Sequence, residues 1–329
     1  MLFRSWRRIK DDAFPKALAR DEGAIVIAPM TNGGKLVLVS KSTFEEKEGA
    51  ALGGAAAAYD VATKTVIDIA PAWESSPGPM ALADIDGDGD LDLFIGGRVI
   101  PGKYPVSASS KLFRRDGAQW KLDPVNSARF DKIGLVSGST FADIDNDGDA
   151  DLILACEWGP IRVFKNEKGS FQEATQALGL SNYAGWWNGV TVGDFDGDGR
   201  LDIAASNWGR NPHYQMRRER PLKLSYGDIG GDGRVDILES AFDAELGDYA
   251  PLQQLGALST AFPFLKERYP SSEAFSKATL NEAFQGRLES VSTTTANWLE
   301  NAVFLNRGDR FEIRALPVEA QMSAAFGIV

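Results

Sequence analysis

The chain is 329 residues long, 43% hydrophobic and carries a formal net charge of −11. That length admits one large domain or two ordinary ones, no apolar run approaches the ~20 residues of a membrane span, and the acidity argues against nucleic acid as a partner. Cys156 is the single cysteine, so no internal disulfide can form, and its place in the apolar run Leu152-Ile-Leu-Ala-Cys156 marks it as a small core residue.

In chain order, residues 1–20 are basic but lack the apolar stretch of a signal peptide. Residues 21–329 read as one repeat domain. Its first unit, 21–70, has an exit strand Leu36-Val-Leu-Val39 and a hairpin made by Ala56–Asp60 and Lys64–Asp68. Its loop, Pro29-Met-Thr-Asn-Gly-Gly-Lys-Leu-Val37, keeps the glycine of the later units but none of their carboxylates.

Four acidic loops follow: Asp84-Ile-Asp-Gly-Asp-Gly-Asp-Leu-Asp92, Asp143-Ile-Asp-Asn-Asp-Gly-Asp-Ala-Asp151, Asp194-Phe-Asp-Gly-Asp-Gly-Arg-Leu-Asp202 and Asp228-Ile-Gly-Gly-Asp-Gly-Arg-Val-Asp236. Two carboxylates about 4 Å apart repel by roughly 1 kcal/mol in water and more near a protein surface. A cation relieves that repulsion, and hard oxygen donors at alternate positions around a glycine turn suit calcium. Each loop is entered and left through a short apolar strand, and the hairpins Lys111–Lys121, Ile161–Phe171 and Ala302–Glu312 repeat the outer half of a unit. Periods of about 50 residues mean a repeated supersecondary unit, and four strands per unit repeated radially make the blades of a β-propeller.

The expected fold is therefore all-β, a propeller of four-stranded blades with about five visible and a ring of about seven implied. Blade four is expected to be abbreviated, since little room separates Asp202 from Asp228. Residues 250–288 are expected to form a helical hairpin inserted in blade five, because Leu252, Leu255, Leu258, Phe262 and Leu265 recur at helical spacing, followed after Pro270 by Ala274, Phe275, Ala278 and Phe284. Covering an apolar patch of the propeller is its expected role. The final stretch Ser323-Ala-Ala-Phe-Gly-Ile-Val329 matches the strands that enter the acidic loops; it either closes the ring or leads into a further blade, and the second is expected.

An EF-hand shares the opening spacing but needs a bidentate Glu at position twelve and flanking helices. Position twelve here is Ile95, Leu154 and Ala205, with Glu239 only in the fourth loop, and the flanks are strands. The EF-hand reading is rejected.

These residues resemble the FG-GAP (VCBS-like) repeat family, which includes the seven-bladed propellers of integrin α chains. Gly96–Pro105, Gly185-Trp-Trp-Asn-Gly189, Pro263–Arg268 and Leu316–Gln321 further resemble bacterial relatives of cartilage acidic protein, of the ASPIC/UnbV type. The resemblance implies one calcium ion on the first hairpin of a blade and a partner on the opposite face. It implies carboxylate ligands at positions one, three, five and nine, and a main-chain carbonyl at position seven. Loop one would use Asp84, Asp86, Asp88 and Asp92 with Asp90 as the carbonyl. Loop two would use Asp143, Asp145, Asp147 and Asp151 with Asp149, and loop three Asp194, Asp196, Asp198 and Asp202 with Arg200. Loop four has Gly230 at position three, so Asp228, Asp232 and Asp236 form a weak fourth site beside three strong Ca²⁺ sites. An extracellular, cell-surface or periplasmic location is also implied.

No nucleophile, base and orienter can be grouped: the one histidine, His213, lies in a polar loop and reads as a surface residue. Arg307-Gly308-Asp309 is the tripeptide integrins recognise, but it falls at a hairpin turn and turn chemistry explains it. Trp158, Trp186, Trp187 and Trp208 sit near blade ends, where packing between blades is the first explanation and a stacking surface for sugars or a protein partner the second. The sequence thus points to a non-enzymatic, calcium-stabilised binding module for an extracellular protein or carbohydrate. The alternative is a calcium-dependent polysaccharide lyase or hydrolase of propeller fold.

Overall fold

The computed structural model describes residues 22–29, 34–45, 53–117, 119–210, 214 and 218–328. The basic segment 1–20, residues 30–33 of the carboxylate-free loop of the first unit and His213 lie outside the described residues.

The first sheet joins β1 (Glu22–Pro29), β2 (Lys35–Lys41), β3 (Ala56–Asp60) and β4 (Thr65–Ala70) in sequence order, all antiparallel. The second repeats that order with β5 (Ser76–Ala83), β6 (Asp92–Val99), β7 (Lys111–Asp116) and β8 (Gln119–Leu122). A short helix α1 (Pro124–Arg129) follows, started by the side chain of Asp123 accepting from the Asn126 N–H. The third sheet holds β9 (Leu135–Ala142), β10 (Asp151–Gly159), β11 (Arg162–Glu167) and β12 (Ser170–Glu173), and β13 (Gly185–Trp186) pairs the far end of β10. Lys168 and Gly169 close its outer hairpin at φ 50° and 86°, the left-handed pair a tight hairpin turn needs.

The fourth sheet begins with β14 (Gly189–Gly193) and β15 (Asp202–Ser206). The chain then leaves it to build a fifth sheet from β16 (Leu222–Gly227), β17 (Asp236–Asp243) and β18 (Asp248–Pro251). Helices α2 (Leu255–Ala261), α3 (Phe264–Arg268), α4 (Ser272–Ser276) and α5 (Leu280–Phe284) come next, and β19 (Ser292–Ala296) pairs with β16. Only after this excursion do β20 (Ala302–Asn306) and β21 (Phe311–Ala315) return, with β20 pairing β15 at Ile203↔Phe304. The expectation of an abbreviated fourth blade is corrected: its outer hairpin is present but arrives after the fifth sheet, which is inserted between its second and third strands. The hairpin 302–312 accordingly belongs to the fourth unit and not to the fifth.

Sheets one to four stack face to face, and alternate residues of one strand feed two cores. In β6, Leu93 and Ile95 pack toward the first sheet with Leu38, Ala58 and Phe113, while Phe94 packs toward the third with Leu154 and Phe164. In β10, Ile153 and Ala155 meet Ile203 and Phe304 of the fourth sheet, while Leu152 and Leu154 face the second. Burial on both faces is why these strands read as continuous apolar runs. The entering strands β1, β5, β9 and β14 are successive neighbours. Glycine permits their close approach: a Cβ on Gly138 would lie 2.9 Å from the Gly189 Cα, and one on Gly189 would lie 3.5 Å from the Gly327 Cα. The C-terminal stretch therefore runs against β14, where the Asn188 side chain donates to the Ala325 carbonyl at 2.9 Å.

The segment expected as a helical hairpin forms four short helices, because Pro263 starts α3, Ser271 caps α4 and Thr279 with Glu282 forms a capping box on α5. Leu255, Leu258, Phe262, Leu265, Phe275 and Phe284 pack on Ile229 and Leu238, so the helices cover the fifth sheet itself. Leu252 joins a different cluster, with Trp158 and Leu224.

Candidate metal centres

The four acidic loops connect entering and exit strands at one end of their sheets, and they share one conformation. Position one caps the turn: Asp84 accepts from the Gly87, Asp88 and Gly89 N–H groups at 2.8, 3.1 and 2.9 Å, and Asp194 accepts from Gly197, Asp198 and Gly199 at 2.7, 3.1 and 3.0 Å. Asp143 accepts from Asp147 and Gly148, and Asp228 from Gly231 and Asp232. Position five accepts from the position-seven N–H in every loop, as at Asp88–Asp90, Asp147–Asp149, Asp198–Arg200 and Asp232–Arg234. Position six is left-handed, as the sequence implies, but so is position four, with φ of 78°, 58°, 78° and 82° at Gly87, Asn146, Gly197 and Gly231. Glycine or asparagine is needed at both, and their recurrence at position four was the signal available in the sequence.

Oxygens of three carboxylates converge within 4.8 Å in each loop: Asp84, Asp86 and Asp88; Asp143, Asp145 and Asp151; Asp194, Asp196 and Asp202; Asp228, Asp232 and Asp236. The fourth loop thus still gathers three carboxylates despite Gly230. At position seven Asp149 accepts from the Lys168 N–H, whereas the Arg200 guanidinium donates both to the Asn306 carbonyl and to Asp198, and Arg234 lies 3.9 Å from Asp232.

Position nine of the first three loops differs from the rest because it is buried, whereas Asp236 of the fourth is half-buried. Asp151 and Asp202 are 0% exposed and Asp92 is 1% exposed. One oxygen of each accepts from an N–H of the third strand: Arg115 to Asp92, Asn166 to Asp151 and Asn306 to Asp202, at 2.7, 2.8 and 2.7 Å. The other accepts from position two in loops two and three, Ile144 at 3.1 Å and Phe195 at 2.9 Å. The same third-strand residues reach the preceding unit. The Asn166 amide donates to the Ile85 carbonyl at 2.8 Å and the Asn306 amide to the Ile144 carbonyl at 2.7 Å, tying each loop to the next sheet. Sequence reading missed these latches, although Phe164-Lys-Asn166 and Phe304-Leu-Asn306 repeat the pattern.

Basic side chains from the outer hairpins sit on position three. Arg114 pairs with Asp86, Lys165 with Asp145 at 2.7 Å, and Arg307 with Asp196 at 2.7 Å and Asp198 at 3.2 Å. Arg307 is therefore engaged by the third loop, and the Arg307-Gly308-Asp309 turn does not present its arginine freely.

The donor set fits a hard divalent cation, since carboxylate oxygens alone converge in each loop; in loop one the converging three are Asp84, Asp86 and Asp88, and the buried Asp92 Oδ2 beside them lacks a hydrogen-bond partner. Burial pushes the carboxyls of Asp92 and Asp151 up to about 6, against the lowering effect of the Arg115 and Asn166 N–H groups. Their folded-state values lie above the unfolded one, so without metal the contribution they make to stability is present at low pH and is lost as pH rises through about 6. Metal takes the ionised form, so protons compete with it. Calcium titrations of loops one and two at pH 7.5 and 5.0 are expected to show about tenfold weaker binding at the lower pH; equal affinities would contradict the assignment of Asp92 and Asp151 as ligands.

The tryptophans separate. Trp158, Trp186 and Trp208 stack in series, with ring centroids 5.1 and 4.6 Å apart, at the sheet ends away from the loops. Trp187 is fully buried between the third and fourth sheets against Phe304. Cys156 is buried, which pushes its thiol up to about 11 and makes it inert.

A family model described as an FG-GAP-like repeat matches residues 84–154 and 143–205. The chain contains two FG-GAP-like repeats. Each runs from position one of a loop to position twelve of the next, so the matched unit spans the exit strand and outer hairpin of one sheet and the entering strand of its neighbour. FG-GAP-like repeats commonly bind calcium and are typical of extracellular and surface proteins. No curated protein matches the chain. Among the described residues, no helix is long and apolar enough to cross a membrane.

Proposed function

We propose that this protein is a calcium-stabilised, propeller-type binding module for an extracellular protein or carbohydrate partner. The observation that carries the reading is the shared conformation of four acidic loops, each gathering three carboxylates while its position-one and position-five oxygens hold the turn. Asp84, Asp86, Asp88 and Asp92 would hold one ion, and the corresponding aspartates of loops two and three would hold two more. Asp228, Asp232 and Asp236 would form a weaker fourth site. Bound calcium supplies positive charge that cancels carboxylate repulsion and locks each loop to its sheet. Stacking of sheets one to four supports reading them as blades of a ring of about seven, with kinship to the ASPIC/UnbV-type relatives of cartilage acidic protein.

A binding screen of the calcium-loaded protein against glycan arrays and extracellular protein mixtures tests the proposal. Capture of a partner at the sheet ends away from the loops is the expected result. Silence in that screen together with measured turnover of a polysaccharide would replace this reading with an enzymatic one.

A further inference from the structure

Between the fourth sheet and the sheet inserted into it lies a cleft of about 920 Å³, within the size range of pockets that bury a ligand. Its walls are the turn after β15, the approach to β20 and the β17–β18 turn, all at the ends opposite the acidic loops. The cleft is a consequence of the insertion, since its two sides belong to different sheets.

Its chemistry is unlike that of the rest of this acidic chain. The guanidinium of Arg218 lies 4.7 Å from the centre of the Tyr183 ring and that of Arg220 lies 3.6 Å from the centre of the Phe242 ring. Stacking fixes the planar groups while leaving their N–H edges available. Among the described residues neither has a carboxylate within 4.0 Å, whereas Arg210 on the same wall is neutralised by Glu300. Trp298 and Tyr214 add aromatic surface. The Asn297 amide donates to the Asn182 carbonyl at 3.0 Å, which holds that side chain in place on the cleft wall.

Resting on the binding-module reading, we infer that this cleft is the partner site and that it takes a carboxylated sugar, a uronate-bearing oligosaccharide. A pyranose offers an apolar C–H face to an aromatic ring, hydroxyls to the rim carboxylates, and a carboxylate to the paired N–H edge of an arginine. The rim carboxylates Asp243, Glu245 and Glu300 accept from hydroxyls but repel a ligand with closely spaced negative charges. That favours one charge per sugar ring over a phosphopeptide or an acidic protein segment.

The test is calorimetric titration of the full calcium-loaded chain with tetragalacturonate and tetraglucuronate, each against its methyl ester. At least one acid is expected to bind at least about tenfold tighter than its ester. R218Q/R220Q is expected to remove that preference without changing the calcium-dependent unfolding midpoint. Equal affinity of acid and ester, no binding of either acid, or binding untouched by R218Q/R220Q would each overturn the proposal, as would a phosphopeptide that competes the acid away. A partner captured in the wider screen whose affinity R218Q/R220Q leaves unchanged would overturn this site and leave the binding-module reading standing.

Discussion

Asp202→Ala is expected to destabilise the protein by about 3–5 kcal/mol whether or not calcium is present. The side chain is fully buried and accepts from two backbone N–H groups, Asn306 of β20 at 2.7 Å and Phe195 at position two of its own loop at 2.9 Å. Truncation leaves both donors without partners, at about 1–3 kcal/mol each. It also opens the link between loop three and the hairpin that returns after the insertion. Asp196→Asn is the contrasting change. Asp196 is more than a quarter exposed and paired with Arg307 at the surface, so its loss in chelator should cost far less than that of Asp202. Its loss in calcium should remove one site. Denaturant titrations of both variants, with calcium and with chelator, check the distinction. Equal effects in chelator would mean that position nine is an ordinary ligand and not an anchor.

Chelation of the wild-type protein is the second large effect. A ligand that binds only the folded state stabilises it by about 2.7 kcal/mol per site at a hundredfold excess over Kd. For a chain of this length each kcal/mol moves the midpoint by about 1–2 °C, so three occupied loops should raise Tm by roughly 8–16 °C. The increase should continue with the logarithm of free calcium. Part of the gain is offset because each ion must displace a cation already in place: Arg114 from Asp86, Lys165 from Asp145 and Arg307 from Asp196. Magnesium is expected to do less, because it requires tighter octahedral geometry and dehydrates reluctantly. Scanning calorimetry across calcium concentrations measures all of this. A midpoint indifferent to calcium would remove the metal from the account.

Much of the architecture is legible in the sequence because it is local. The Asp and Gly spacing of residues 84–92 sets its own turn, with caps and left-handed positions that lie within the nine residues. The strand assignments of the first three units follow from apolar runs bounded by those turns. The placement of Ala302–Ala315 was not legible, since consecutive elements usually pair with one another and this hairpin follows the fifth sheet in the chain. Only its register on β15 assigns it to the fourth sheet. The division of labour among the aspartates was hidden for a related reason. Positions one, three, five and nine look alike in sequence, and burial by the neighbouring hairpin is what turns Asp92, Asp151 and Asp202 into anchors. Likewise, nothing in four similar tryptophans shows that Trp187 is core while Trp158, Trp186 and Trp208 form a stack.

The sequence by itself determined the repeat, the shape of each acidic loop and the hard cation it suits, because every group that sets them lies within one short turn. Tertiary structure alone decided which hairpin completes the fourth sheet, which aspartates hold sheets together, and that Arg218, Arg220, Asn297 and Trp298 line one cleft. Those relations join residues from distant parts of the chain, and only packing brings them together.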